Sequence, residues 1–237
     1  MRVLTVVHQA DAGAGVFGAQ AEAEGHELVE WVPSNGGPPE LDSVDAAMVF
    51  GGAMNPDQED AHPWLQRDKQ LIADLLERRV PMLGVCLGSE LLAEVAGGPP
   101  RRSSRPEIGW HRIELSDEGA ADPLLGELPR GFEGFVWHSY EWPLPPGAVA
   151  LASSDVCLQA FRLDDAPAWG IQFHAEVTRD NILKWLEGYA SDSDAVRIGV
   201  DPEALRQESE RRIEDWNETG RGIAARFLAE AKASIPA

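Results

Sequence analysis

The stretch VPMLGVCLGSELLAEVAGG, Val80 to Gly98, constrains this chain more than any other. Its opening run is apolar without alternation, the pattern of a central strand covered on both faces. Its second half is helix-like and closes at a glycine pair. Between them stands G-x-C-x-G, so the strand must enter the helix through a sharp turn that only small neighbours permit. A strand feeding directly into a helix belongs to a βα unit, and the upstream sequence repeats that pattern. RVLTVV reads as a buried strand, GVFGAQAEAEGH as a short helix closed at a glycine, and ELVEWV as a second strand. After the loop SNGGPPE, VDAAMVFGG is a third buried strand that ends in the pair Gly51 and Gly52. HPWLQRDKQLIADLLERR then places Leu65, Leu71, Ile72, Leu75 and Leu76 at near-helical spacing, with Arg78 and Arg79 in the last turn.

This order predicts an α/β fold with a doubly wound, mostly parallel sheet. The second half differs. EIGWHRIEL, FEGFVWHSY, GAVALASS, VCLQAFRL and PAWGIQFH are short strand-like runs separated by turn residues, and they predict antiparallel additions and a return to the main sheet. Two helical segments follow, RDNILKWLEGYA and a longer one with an expected interruption near Gly220 and Gly222. At 237 residues and 43% hydrophobic content the chain can bury one substantial core. Residues 1–190 are therefore read as one domain, and 191–237 as a helical extension packed on it.

Forty acidic residues against twenty basic ones give a net charge of −20, which disfavours nucleic acid and anionic membranes as partners. No apolar run approaches a signal or membrane segment, so a cytoplasmic protein is expected. Two cysteines, Cys86 and Cys157, exclude a disulfide scaffold and point to reduced thiols.

Cys86 has two readings. On a strand-to-helix elbow the helix dipole and backbone N–H groups favour a reactive thiolate; alternatively it is a small buried core thiol. A cysteine nucleophile acting on an amide needs a base and a group to orient it. His174 closes the strand AWGIQFH, and Glu176 follows two positions later. If the chain stays extended, both point to one side and the carboxylate can hold the imidazole; alone, such a pair is as compatible with a surface ion pair. Cys157 sits inside a strand pattern and reads as core. His8, His26, His62 and His111 show no metal-ligand spacing, so no metal and no cofactor is expected.

Taken together, GVCLGSELLAEVAGG and WGIQFHAEVT resemble the class I glutamine amidotransferases, a family with a Cys-His-Glu triad that hydrolyses the side-chain amide of glutamine. VFGGAMNPDQEDAHPWL resembles that family's oxyanion loop, and PPGAVALASSDVCLQAF the stretch before its histidine strand. The similarity runs from Val44 to Tyr189. Within the family the chain is most similar to free-standing members that resemble the glutaminase domain of GMP synthase. The resemblance implies a flavodoxin-like fold and assigns roles by matched position. Cys86 would form a γ-glutamyl thioester, His174 would shuttle the proton, and Glu176 would orient His174. Gly52 and Leu87 would supply oxyanion N–H groups, unless the Gly51 and Gly52 pair is a plain turn. Glu90, His138 and Ser139 would line the glutamine site, with a structural role equally open for His138.

Two positions depart from the family pattern. Glu90 replaces a common Gln one turn after the nucleophile, where a carboxylate could either disfavour the thiolate or pair with a substrate α-ammonium. Ala175 replaces a Pro, which only stiffened the turn. The expected activity is release of ammonia from glutamine or a γ-glutamyl amide. Its alternatives are a γ-glutamyl hydrolase without ammonia transfer, a cysteine peptidase, and a non-catalytic regulatory subunit that keeps the fold. No G-x-x-x-x-G-K-[ST] motif occurs, so ammonia channelling would need a separate synthetase or other ammonia-accepting protein.

Overall fold

A computed structural model describes residues 1–235. Strands β1 (Arg2–Val6), β2 (Glu27–Trp31), β3 (Ala46–Val49), β4 (Met82–Val85) and β9 (Ala168–Ile171) form a parallel set in the order β2-β1-β3-β4-β9. This is the doubly wound order of flavodoxin-like sheets. The same nine-stranded sheet continues antiparallel from β9 through β8 (Leu158–Leu163), β7 (Ala148–Ser153), β5 (Arg101–Leu115) and β6 (Gly131–Glu141). Four strands of the second half are added antiparallel, as expected, and the fifth, β9, returns to the main sheet beside β4.

Strand alternation divides the core. Met48, Leu83 and Val85 join one apolar cluster, while their neighbours Ala47, Val49 and Met82 join a second. The first cluster takes in residues of α1 (Gly15–Ala23), α5 (Arg179–Gly188) and α7 (Pro202–Ser234). The second takes in α2 (Leu65–Glu77) and α3 (Leu87–Val95). Two shorter helices, α4 (Asp117–Ala120) and α6 (Ser193–Ile198), complete the described α-helices.

Helix α7 corrects one expectation: it runs 33 residues without a break at Gly220 or Gly222. Gly220 serves proximity instead of flexibility. A Cβ there would lie 2.0 Å from the carbonyl oxygen of Ala175, so the missing side chain lets the helix axis come down onto the segment between His174 and Glu176. Ile213, Trp216, Ile223, Ala224 and Phe227 from α7 are buried in the first cluster.

Candidate active site

Cys86 sits between the last residue of β4 and the first of α3, with φ 51° and ψ −112°. A non-glycine residue in this region is strained, and among the described residues only Arg79 shares a positive φ without being glycine. The flanking glycines make the strain sustainable. A Cβ on Gly84 would lie 2.6 Å from the Gly88 carbonyl oxygen, and one on Gly88 would lie 2.0 Å from that of Val49. The elbow is thus locked by β3 on one side and by its own helix on the other. The turn holds the thiol at the wall of a cavity of about 400 Å³ above the carboxyl ends of the parallel strands.

His174 lies just past β9 and lines the same cavity. Its Nδ1 donates to Glu176 Oε1 at 2.7 Å, with both side chains buried. That bond leaves Nε2 as the ring's free acceptor. Gly51 gauges the separation of imidazole and thiol: a Cβ built on it would be 3.1 Å from His174 Cε1 and 3.4 Å from Cys86 Cβ. The segment that carries the pair is held from outside. Trp216 Nε1 donates to the His174 carbonyl at 2.8 Å, the Val16 N–H to that of Glu176 at 2.8 Å, and Asn217 Nδ2 to that of Val177 at 2.7 Å. The Trp185 ring packs edge-on against the imidazole, with centroids 4.9 Å apart.

Gly52 and Leu87 lie side by side at the cavity wall, where a Cβ on Gly52 would be 3.6 Å from a Leu87 methyl. Beneath that loop, His8 bonds the Phe50 carbonyl at 2.9 Å and Asp68 at 3.1 Å, fixing the backbone just before the glycine pair. Ser139 also lines the cavity, beside Asp194. His138 reaches the wall too, but its ring nitrogens are engaged elsewhere: Nδ1 donates to the Tyr140 carbonyl at 2.8 Å, and Nε2 faces Glu107 at 3.2 Å.

Electrostatics at the elbow differ from the sequence expectation. Burial pushes the Cys86 thiol well up, and the Glu90 and Glu176 carboxylates push it further; the Leu87 N–H and Gln172 oppose this without cancelling it. The helix dipole loses to desolvation because the elbow is only 7% exposed. Glu90 is buried as well, and burial raises its carboxyl to about 7 against the pull of His138 and Gln172. Gln172 went unnoticed in the sequence. Its Nε2 donates to Glu90 Oε1 at 3.1 Å and lies 3.6 Å from Cys86 Sγ. The only signal was proximity, since residue 172 stands two before His174 in the segment that bends after β9.

Glu107, His138 and Cys157 form a second cluster, with one ligand-type atom from each lying within 4.8 Å of the others. The spacing test on the sequence missed it because the three come from different parts of the chain.

The family model for class-I glutamine amidotransferases matches residues 20–182. The chain is 32% identical over 184 residues to YfeJ of Salmonella typhimurium, described as glutamine amidotransferase-like, covering 75% of this chain and 77% of that protein. It is 32% identical over 151 residues to one subunit of the glutamine-hydrolysing GMP synthase of Saccharolobus solfataricus, covering 63% and 76%. A crystal structure of a Thermotoga maritima glutamine amidotransferase superposes with a TM-score of 0.86 at 27% identity, covering 96% of this chain and 98% of that one.

Proposed function

We propose, from the premise that this chain belongs to the class-I glutamine amidotransferase family, that it hydrolyses the carboxamide of glutamine or of a γ-glutamyl amide through Cys86. The observation that carries this reading is the strained, buried Cys86 elbow sharing one cavity with a histidine already oriented by a buried carboxylate. In the first step the Cys86 thiol passes its proton to His174 Nε2 as Sγ attacks the carboxamide carbon. The oxygen of the resulting tetrahedral species takes hydrogen bonds from the Gly52 and Leu87 N–H groups. His174 then gives the proton to the departing nitrogen, the C–N bond breaks, and a γ-glutamyl thioester remains. Water, deprotonated by the same nitrogen, hydrolyses the thioester and restores the thiol. Glu176 holds the imidazole in the required tautomer throughout.

Burial and the neighbouring carboxylates raise the Cys86 thiol, so the reaction depends on His174 to take its proton. Glu90, at the same wall, is the candidate partner for a substrate α-ammonium, with Ser139 nearby. Delivery of the ammonia to a separate synthetase is the partner role that the GMP synthase relatives support. Ammonia or amine release, measured side by side on glutamine, γ-glutamyl amides and peptides, tests the reading. The wild type is expected to turn over one of the first two classes, and Cys86→Ala to turn over none while keeping its thermal midpoint within a few degrees. Turnover by Cys86→Ala at the wild-type rate would refute it.

A further inference from the structure

We propose that Glu107, His138, Cys157 and Gln159 form a binding site for one zinc-class divalent cation, separate from the catalytic thiol. The site lies where β5, β6 and the start of β8 meet. Glu107 and His138 are directly opposite in the antiparallel pairing of β5 with β6, beside the register shift between Arg102 and Glu107. Gln159 comes in from β8, the strand beyond β7, and Cys157 from the residue just before that strand.

The spacing of the donor atoms carries the argument. His138 Nε2 and Glu107 Oε2 are 3.2 Å apart, and Cys157 Sγ is 3.6 Å from the same oxygen. Gln159 Nε2 occupies a fourth corner, 2.9 Å from Glu107 Oε2, 3.5 Å from His138 Nε2 and 3.5 Å from Cys157 Sγ. These five edges average about 3.3 Å and the sixth, from His138 to Cys157, lies within 4.8 Å; a tetrahedron of edge about 3.3 Å has its centre about 2.0 Å from each corner, the zinc–nitrogen and zinc–oxygen distance, and the longer sulfur edges suit the zinc–sulfur distance of about 2.3 Å.

Three independent features support a cation at that centre. His138 Nδ1 donates to the Tyr140 carbonyl, the second hydrogen bond that fixes a ligating imidazole with its Nε2 lone pair forward. Gln159 is fully buried, yet its Oε1 has no hydrogen-bond partner. Half a turn of the amide exchanges Nε2 for this oxygen and completes a set of one sulfur, one nitrogen and two oxygens. The set also balances charge, because thiolate and carboxylate together neutralise a dication. Sulfur with imidazole selects a borderline-soft metal such as zinc over magnesium or calcium. On binding, the cation takes the place of protons between these acceptors, and Cys157 gives up its thiol proton to solvent. Cys157 is only half-buried, which leaves the cation a way in.

The chain holds two cysteines, so Cys86→Ala leaves Cys157 as the sole thiol. Titrating that variant with Co²⁺ is expected to give a thiolate-to-cobalt charge-transfer band saturating at one equivalent. Zn²⁺ is expected to abolish the band by competition and to protect Cys157 from alkylation. Glu107→Gln and His138→Asn, each in the Cys86→Ala background, are expected to weaken Co²⁺ by at least about 10-fold, the least that loss of an outer-shell partner costs. A Cys86→Ala protein with no charge-transfer band and no Zn²⁺ protection would overturn the proposal and leave a network of hydrogen bonds only. So would a band whose titration is unmoved by either second substitution. Neither outcome bears on turnover at Cys86.

Discussion

Cys86 and Glu90 are joined through one side chain, Gln172, whose amide reaches both. Because the Glu90 carboxyl titrates near 7 when folded and near 4.5 when free, the folded protein binds more protons between those values. Stability from this group is therefore full below about pH 4.5 and falls as pH rises toward about 7, by about 3 kcal/mol in all. Glu90→Gln removes the buried charge and keeps an oxygen for Gln172. Denaturant midpoints are expected to show the variant gaining on wild type by about 2.5 kcal/mol between about pH 5 and about pH 8. Its Cys86 should also alkylate faster near pH 8, since the carboxylate that raised the thiol is gone. A constant difference between the two proteins across that range would show that Glu90 titrates as an ordinary carboxylate. At the base, His174→Ala is expected to lower kcat by about 10²- to 10⁴-fold, the usual worth of a proton shuttle. Glu176→Gln should cost less. Its Oε1 can still accept from Nδ1, and Oε2, where the amide nitrogen would fall, has no partner to lose. A larger loss in kcat for the glutamine variant would shift the main burden from the imidazole to its orienting charge.

Among the elements, α7 is a brace as well as a piece of core. Gly220 and Gly222 lie two residues apart on it and separate these roles. Gly220→Ala drives a methyl into the Ala175 carbonyl, so it is expected to destabilise the fold and depress kcat, although alanine is the better helix former. Gly222→Ala meets only the flexible end of Arg226, at 3.2 Å and beyond, and is expected to stabilise by up to about 1 kcal/mol with kcat unchanged. Thermal melts and initial rates on the two variants check this; equal effects would mean that α7 contributes packing alone. The pair also shows what sequence reasoning can and cannot see. Two glycines in a helical pattern read as a break, because the carbonyl that requires one of them lies 45 residues upstream. The Cys86 elbow was legible because the strand, both glycines and the helix are contiguous. His174 and Glu176 were legible because they stand two residues apart, although β9 ends at Ile171 and the chain bends through the segment that carries them.

At the scale of the whole molecule, β1, β3 and β4 were legible from local patterns, since each feeds a helix, α1, α2 and α3 in turn, whereas β2 reaches β3 with no α-helix between. The antiparallel half was legible as strands but not as an order. Neighbours such as β5 and β7 are separated by all of β6, and nothing in either run names its partner. The cluster at Glu107 and His138 escaped for the same reason, as did the raised Cys86 thiol, which depends on burial that only the assembled fold creates. The grip of Trp216 and Asn217 on the carbonyls of His174 and Val177 spans 42 and 40 residues of chain. During synthesis, therefore, Cys86, His174 and Glu176 are all made before the groups that fix their loop. A chain caught partway carries Cys86, His174 and Glu176 but not the contacts from α7 that align them.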